Sequence, residues 1–130
     1  FGLFDAILIK DNHLAAEQDL KKLAAAIRQA RAQNPEMKIE VEADNLEQVR
    51  ALMQVDGVDV ILLDNMEPAE MREAIALGRK QGVKFEASGG INLRTVRRIA
   101  ATGVDYISVG ALTHSPRAID ISLELTHVGS

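Results

Sequence analysis

The sequence has no cysteine and no tryptophan, and its 130 residues include one tyrosine and three phenylalanines. Without thiols there is no disulfide framework and no thiolate metal centre, which fits a reducing cytoplasm and makes a cytoplasmic location the expectation. With so few aromatics the core must be built from Ala, Val, Ile and Leu, the usual filling of a parallel sheet covered by helices. No apolar run reaches the roughly 20 residues needed to span a bilayer, so a membrane is not expected as a partner. No basic leader segment is visible; the chain opens on Phe1-Gly2-Leu3-Phe4. Positive charge is also short. A net charge of −4 and a pI near 5.3 argue against nucleic acid and anionic lipid as partners. A small anionic ligand remains compatible, because local charge decides its binding.

What the chain does have is a succession of short apolar runs that each end in a polar or glycine cluster. The clusters are Lys10-Asp11-Asn12-His13, Glu40-Val41-Glu42, Asp64-Asn65, Ser88-Gly89-Gly90 and Gly110-Ala111-Leu112-Thr113-His114. The runs read as strands at Ala6–Ile9, Lys38–Ala43, Val58–Leu63, Val83–Ala87 and Tyr106–Val109. Between them lie helical patterns over Leu14–Gln33, Leu46–Val55, a stretch opening near Pro68, and Leu93–Ala101. Asp44 or Asn45 is placed to cap the second helix, and Ile119–Leu125 reads as a short helix or strand. Residues 126–130 read as a loose tail. Strand starts roughly 20–30 residues apart indicate βα periodicity, with no obvious sequence repeat. The predicted fold is therefore α/β, a single domain of parallel βα units forming an open, partial TIM-like barrel of about five strands. Eight strands would need at least about 200 residues.

Parallel strands joined by helices put their carboxyl ends on one face, where ligands bind in such folds. Ser88-Gly89-Gly90 fits a phosphate cradle: glycines let the backbone approach an anion, and a following helix offers free N–H groups. Gly110, ending the next strand, could complete the same grip; a plain tight turn is the structural alternative. Glu40 and Glu42 are two apart on a strand and so share a face. If Ile39 and Val41 pack against helices, both glutamates point into the barrel interior or its mouth. With Asp64 they could bind Mg²⁺ or sugar hydroxyls, or stabilise a developing cation. The alternative is a solvated edge or an ion pair with Lys10. Lys10 is a natural point charge for phosphate or carboxylate. His13 and His114 stand beside it and beside Gly110, and His114 could donate to a phosphate. Arg94, Arg97 and Arg98 read as a solvated helix face.

Taken together, five stretches resemble the C-terminal barrel domain of quinolinate phosphoribosyltransferase. They are Gly2-Leu3 with Ile7-Leu8-Ile9-Lys10-Asp11-Asn12-His13; Ile39-Glu40-Val41-Glu42; Ile61-Leu62-Leu63-Asp64-Asn65; Glu86-Ala87-Ser88-Gly89-Gly90-Ile91; and the run from Gly103 to His114. Each is weak alone, but five in this order and at these separations are specific. The resemblance implies an enzyme, a pentosyltransferase that converts quinolinate and phosphoribosyl pyrophosphate to nicotinate mononucleotide, CO₂ and pyrophosphate with Mg²⁺, in de novo NAD synthesis. It implies that Lys10, Glu42 and Asp64 are catalytic, with Lys10 and His13 near the anionic substrates. Glu42 and Asp64 would lie near the ribose hydroxyls and the metal. Ser88, Gly89, Gly90, Gly110 and His114 would hold the ribose 5′-phosphate.

The resemblance also implies parts that this sequence does not contain: an N-terminal α/β sandwich, a first barrel strand with a Thr-Arg-Lys-Thr segment, and a His-Arg pair just before Phe1. It implies a homodimer or higher homo-oligomer whose site is completed by the partner. The expectation is a chain that holds the ribose-phosphate half of a site and is inactive by itself. Competing readings are another phosphate-binding βα-barrel enzyme, the barrel paralogue associated with molybdenum transport, and a non-catalytic barrel fragment that self-associates.

Overall fold

A computed structural model of the chain describes residues 5–10, 16–108 and 118–120. Strands and helices alternate: β1 (Ala6–Lys10), α1 (Glu17–Gln33), β2 (Lys38–Ala43), α2 (Leu46–Leu52), β3 (Val60–Asp64), α3 (Pro68–Arg79), β4 (Lys84–Ser88), α4 (Val96–Ala100), β5 (Tyr106–Ile107) and β6 (Ala118–Asp120). All the strand pairings are parallel, in the order β5-β4-β3-β2-β1-β6. The five strands read from the sequence are present. A sixth, Ala118–Asp120, falls where the sequence allowed a short helix or strand, and it pairs with β1. From β1 to β5 each strand lies beside the one before it. That is the sequential order of a barrel wall, and among the described residues it is open, with β5 and β6 at opposite ends of the sheet.

The period of two along each strand separates two faces. Ile7, Ile9, Ile39, Val41, Ala43, Ile61, Leu63, Phe85 and Ala87 pack into one buried cluster with Leu23, Ile27, Val49, Leu52, Met71, Ile75 and Ile99 from the helices. The expected packing of Ile39 and Val41 against helices is therefore present. It leaves Leu8, Glu40, Glu42, Leu62, Asp64, Glu86 and Ser88 on the other face. Helix α3 approaches β4 closely because Gly78 has no side chain: a Cβ there would lie 2.4 Å from the Phe85 ring. Asn45 is the cap of α2, its side chain accepting from the Gln48 amide at 2.9 Å.

Several elements are shorter than their sequence patterns. Helix α2 ends at Leu52 and α4 begins only at Val96. Asn92 explains the second case: its side chain accepts from the amides of Arg94 and Thr95 at 2.8 and 3.1 Å, making a turn before the helix.

A repeat missed in the sequence also emerges. Gly57-Val58-Asp59 and Gly103-Val104-Asp105 occupy equivalent places before β3 and β5, and both glycines have positive φ, 95° and 94°. Each aspartate ties down the start of the preceding strand: Ile39 N donates to Asp59 Oδ2 at 2.8 Å, and Phe85 N to Asp105 Oδ2 at 2.9 Å. Each glycine carbonyl also accepts from a helix-end arginine, Gly57 from Arg31 at 2.7 Å and Gly103 from Arg79 at 3.1 Å. Two βα units thus use one fastening at the amino ends of the strands, opposite the polar clusters.

Candidate functional site

At the carboxyl ends of β2, β3 and β4 the sheet register brings the predicted residues together. Asp64 pairs with Ser88 across β3 and β4, and Glu42 with Leu62 across β2 and β3. The Asn65 amide donates to the Ser88 carbonyl at 2.8 Å, fixing the turn after β3 against the turn after β4. Asn65 takes φ 58°, the left-handed conformation that asparagine tolerates better than most residues. Gly89, at φ +83°, sits so close that a Cβ would lie 2.7 Å from Asp64 Oδ1 and 3.0 Å from the Asn65 nitrogen. The glycine turn and the aspartate therefore share a wall, and only glycine fits that wall.

Glu42, Asp44 and Asp64 each offer a carboxylate oxygen, and the three lie within 4.8 Å of one another. This donor set is hard, anionic and oxygen-only, the chemistry that Mg²⁺ prefers, so the residues present fit that ion. Glu42 is 8% exposed and Asp64 half-buried. Burial raises the pKa of Glu42 above its ordinary value; the charges of Asp64 and Asp44 add to this and Lys10 opposes it. Asp64 is raised as well, first by burial and then by Asp44, again against Lys10. Lys10 is exposed at the end of β1 and works on this cluster at a distance. Among the described residues the ion pairs are Lys21–Glu17 and Arg31–Asp59, and neither involves the cluster.

Behind Glu42, deeper in the sheet, lies Glu40. It is 1% exposed and its two carboxyl oxygens accept no hydrogen bond. Burial, followed by the charge of Glu86, pushes its pKa up to about 9. A protonated Glu40 becomes a donor, and Glu86 is the acceptor beside it. Glu86 in turn accepts from the Ser108 hydroxyl, so a polar layer of Glu40, Glu86 and Ser108 runs through the buried face.

The structure thus brings Glu42, Asp64, Ser88, Gly89 and Gly90 together, with Lys10 at the adjoining strand end. His13, Gly110 and His114 lie outside the described residues. The helix expected to offer its N–H groups straight after the glycine turn does not do so. Asn92 already occupies the amides of Arg94 and Thr95, and α4 has five residues. Among the described residues, the backbone amides open to an anion here are those of the glycine turn rather than those of α4. Asp44, Glu86 and Ser108 are not among the site residues that the sequence suggests, Asp44 being read there only as a helix cap. Alternation would have found two of them: Glu40-Val41-Glu42-Ala43-Asp44 and Lys84-Phe85-Glu86-Ala87-Ser88 each put a polar residue at every second position.

A sequential parallel sheet with its polar cluster at the carboxyl ends of the strands defines an α/β protein of barrel type. The chain belongs to the family described as quinolinate phosphoribosyl transferase, C-terminal domain, whose model matches residues 1–124. It is 41% identical over 126 residues to the probable nicotinate-nucleotide pyrophosphorylase (carboxylating) of Bacillus subtilis, spanning 97% of this chain and 42% of that protein. The Mycobacterium leprae nicotinate-nucleotide pyrophosphorylase (carboxylating) is 44% identical over 126 residues, 95% of this chain and 43% of that one. The solved nicotinate-nucleotide pyrophosphorylase of Francisella tularensis superposes with a TM-score of 0.67 at 32% identity, covering 98% of this chain and 41% of that one. The chain therefore spans less than half the length of these relatives. Among the described residues no helix is long and apolar enough to cross a membrane.

Proposed function

We propose that this chain carries the ribose-phosphate half of a quinolinate phosphoribosyltransferase site, acting on phosphoribosyl pyrophosphate and quinolinate in NAD synthesis in the cytoplasm. The observation that carries the reading is the wall shared by Gly89 and Asp64, where a glycine turn suited to phosphate meets a carboxylate cluster. Family membership supports the same substrates, and the relatives' names give the product, a nicotinate nucleotide.

In this reading the backbone of Ser88, Gly89 and Gly90 receives the ribose 5′-phosphate, joined by Gly110 and His114 as the family resemblance implies. Ribosyl transfer builds positive charge at the anomeric carbon as pyrophosphate leaves. Glu42 and Asp64 stabilise that charge and orient the ribose hydroxyls. Lys10 and His13 attract the anionic substrates. Mg²⁺ held by Glu42, Asp44 and Asp64 would supply neutralising charge for the pyrophosphate. Among the described residues no strand pairs with the outer sides of β5 and β6, which favours association with a second copy, in line with a homodimer or higher oligomer.

Calorimetric titration with phosphoribosyl pyrophosphate tests the proposal. Binding should require Mg²⁺ and weaken by about ten-fold or more in Asp64→Asn, the loss of one charged contact. No heat from the wild-type chain with Mg²⁺ would overturn it. Because the chain spans 42% of the Bacillus subtilis relative, quinolinate turnover by these 130 residues should fall far below that of a full-length relative.

A further inference from the structure

Among the described residues, strand β5 is held to the sheet by the shortest ladder, two pairs against three for β6: Glu86 pairs with Tyr106 and Ala87 with Ile107. Two further bonds come from Ser108. Its amide donates to the Ala87 carbonyl at 2.9 Å, and its hydroxyl donates to Glu86 Oε2. Both side chains are buried, Ser108 at 8% and Glu86 at 5% exposure, so water does not substitute easily for either partner. Glu86 lies on the same strand and face as Ser88, two residues earlier, at the base of the glycine turn. On its far side the turn is fixed to β3 by the Asn65–Ser88 bond.

Resting on the phosphate reading above, we infer that Ser108 and Glu86 are positioning residues for the phosphate turn. The Ser108 hydroxyl fixes the Glu86 carboxylate, which fixes the end of β4 and the direction in which Gly89 and Gly90 present their amides. Neither side chain touches the ligand. Without the hydroxyl, Glu86 is a buried carboxylate beside Glu40 that has lost the donor on Oε2. It then draws away toward another donor and takes the strand end with it.

The test titrates ribose 5-phosphate into the wild-type chain and into Ser108→Ala, Ser108→Thr and Ile27→Val, following the Gly89 and Gly90 amide resonances. Ile27→Val trims the core under α1, away from the turn, and controls for lost stability. Ser108→Ala should weaken binding by about ten-fold, the worth of one hydrogen bond to a charged group, and Ser108→Thr should restore it to within about three-fold. Ile27→Val should bind as the wild type does. Unchanged affinity in Ser108→Ala, or an equal loss in Ile27→Val, overturns the inference. Failure of the wild type itself to bind ribose 5-phosphate is a different result: it removes the phosphate reading and this inference with it.

Discussion

The Ile39 amide donates to the Asp59 carboxylate at 2.8 Å, and Arg31 reaches the same Oδ2 oxygen at 2.8 Å. One side chain thus joins the end of α1, the start of β2 and the start of β3. Asp105 repeats the amide bond for Phe85, two βα units further on. Removing Asp59 leaves a strand amide without its acceptor and a guanidinium without its carboxylate. Asp59→Ala should therefore cost about 2 kcal/mol. Asp105→Ala should cost somewhat less, since among the described residues no arginine bonds to its carboxylate, and the two losses should add because the sites share no partner. Urea unfolding of the two single variants and the double variant measures all three quantities.

Gly78 faces Phe85, which is 1% exposed and has no room to retreat. Gly78→Ala gains helix propensity of about 1 kcal/mol. Against this stands a methyl placed 2.4 Å from a pinned ring, an overpacking cost of about 1–3 kcal/mol. The clash should win, giving net destabilisation. Adding Phe85→Leu should then cost less in the Gly78→Ala background than alone. Thermal unfolding of the four members of the cycle decides this.

Gly89→Ala meets both obstacles at the site. The backbone stands at φ +83°, where an L-residue loses about 1–2 kcal/mol, and the new methyl would press on Asp64 Oδ1 at 2.7 Å. The variant should lose stability by about that amount and lose affinity for ribose 5-phosphate altogether. Gly82→Ala provides the contrast. Its φ is +74°, but no atom lies within 4 Å of the added Cβ, so it should show strain without any loss of binding. Titration of both variants separates the effect of backbone strain from that of the shared wall.

Glu40 makes stability depend on pH. Its pKa rises from 4.5 in the open chain to about 9 in the fold. Between these values the folded state holds a proton that the unfolded state has released. The stabilising contribution is complete below the lower value and is lost as pH rises through the higher one. The slope is at most about 1.4 kcal/mol per pH unit. Glu40→Gln keeps a donor toward Glu86 and has no proton to lose. The variant should gain on the wild type as pH is raised from about 5 to about 9, with the difference levelling above that range. Parallel urea curves at all these pH values for the two proteins would show that Glu40 is ionised in the fold.

How much of this could be read in advance differs from residue to residue. Apolar or alternating runs ended by polar or glycine breaks marked every strand from β1 to β5, because each strand buries one face against helices. The alternation of Lys38 to Ala43 placed Glu40 and Glu42 on one face, and the structure keeps them there. Asn45 was one of two caps left open, and the Gln48 amide selects it. The delayed start of α4 was hidden, because Asn92 competes with the helix through its own side chain, and a hydrophobic pattern does not register that.

Order, spacing and the alternation of side chains determined the strand-end residues and the family to which they belong. Those are local properties, written in covalent sequence and in the periods of strand and helix. Only the tertiary structure decided that Asp64 abuts Gly89, that Asp64 joins Glu42 and Asp44, and that Ser108 holds Glu86. Each of these pairs lies on different strands or turns, and sheet register alone sets their distance. The same holds for Glu40. As a glutamate in a sequence it is an ordinary acid; buried beside Glu86 with no donor, it becomes a group that keeps its proton.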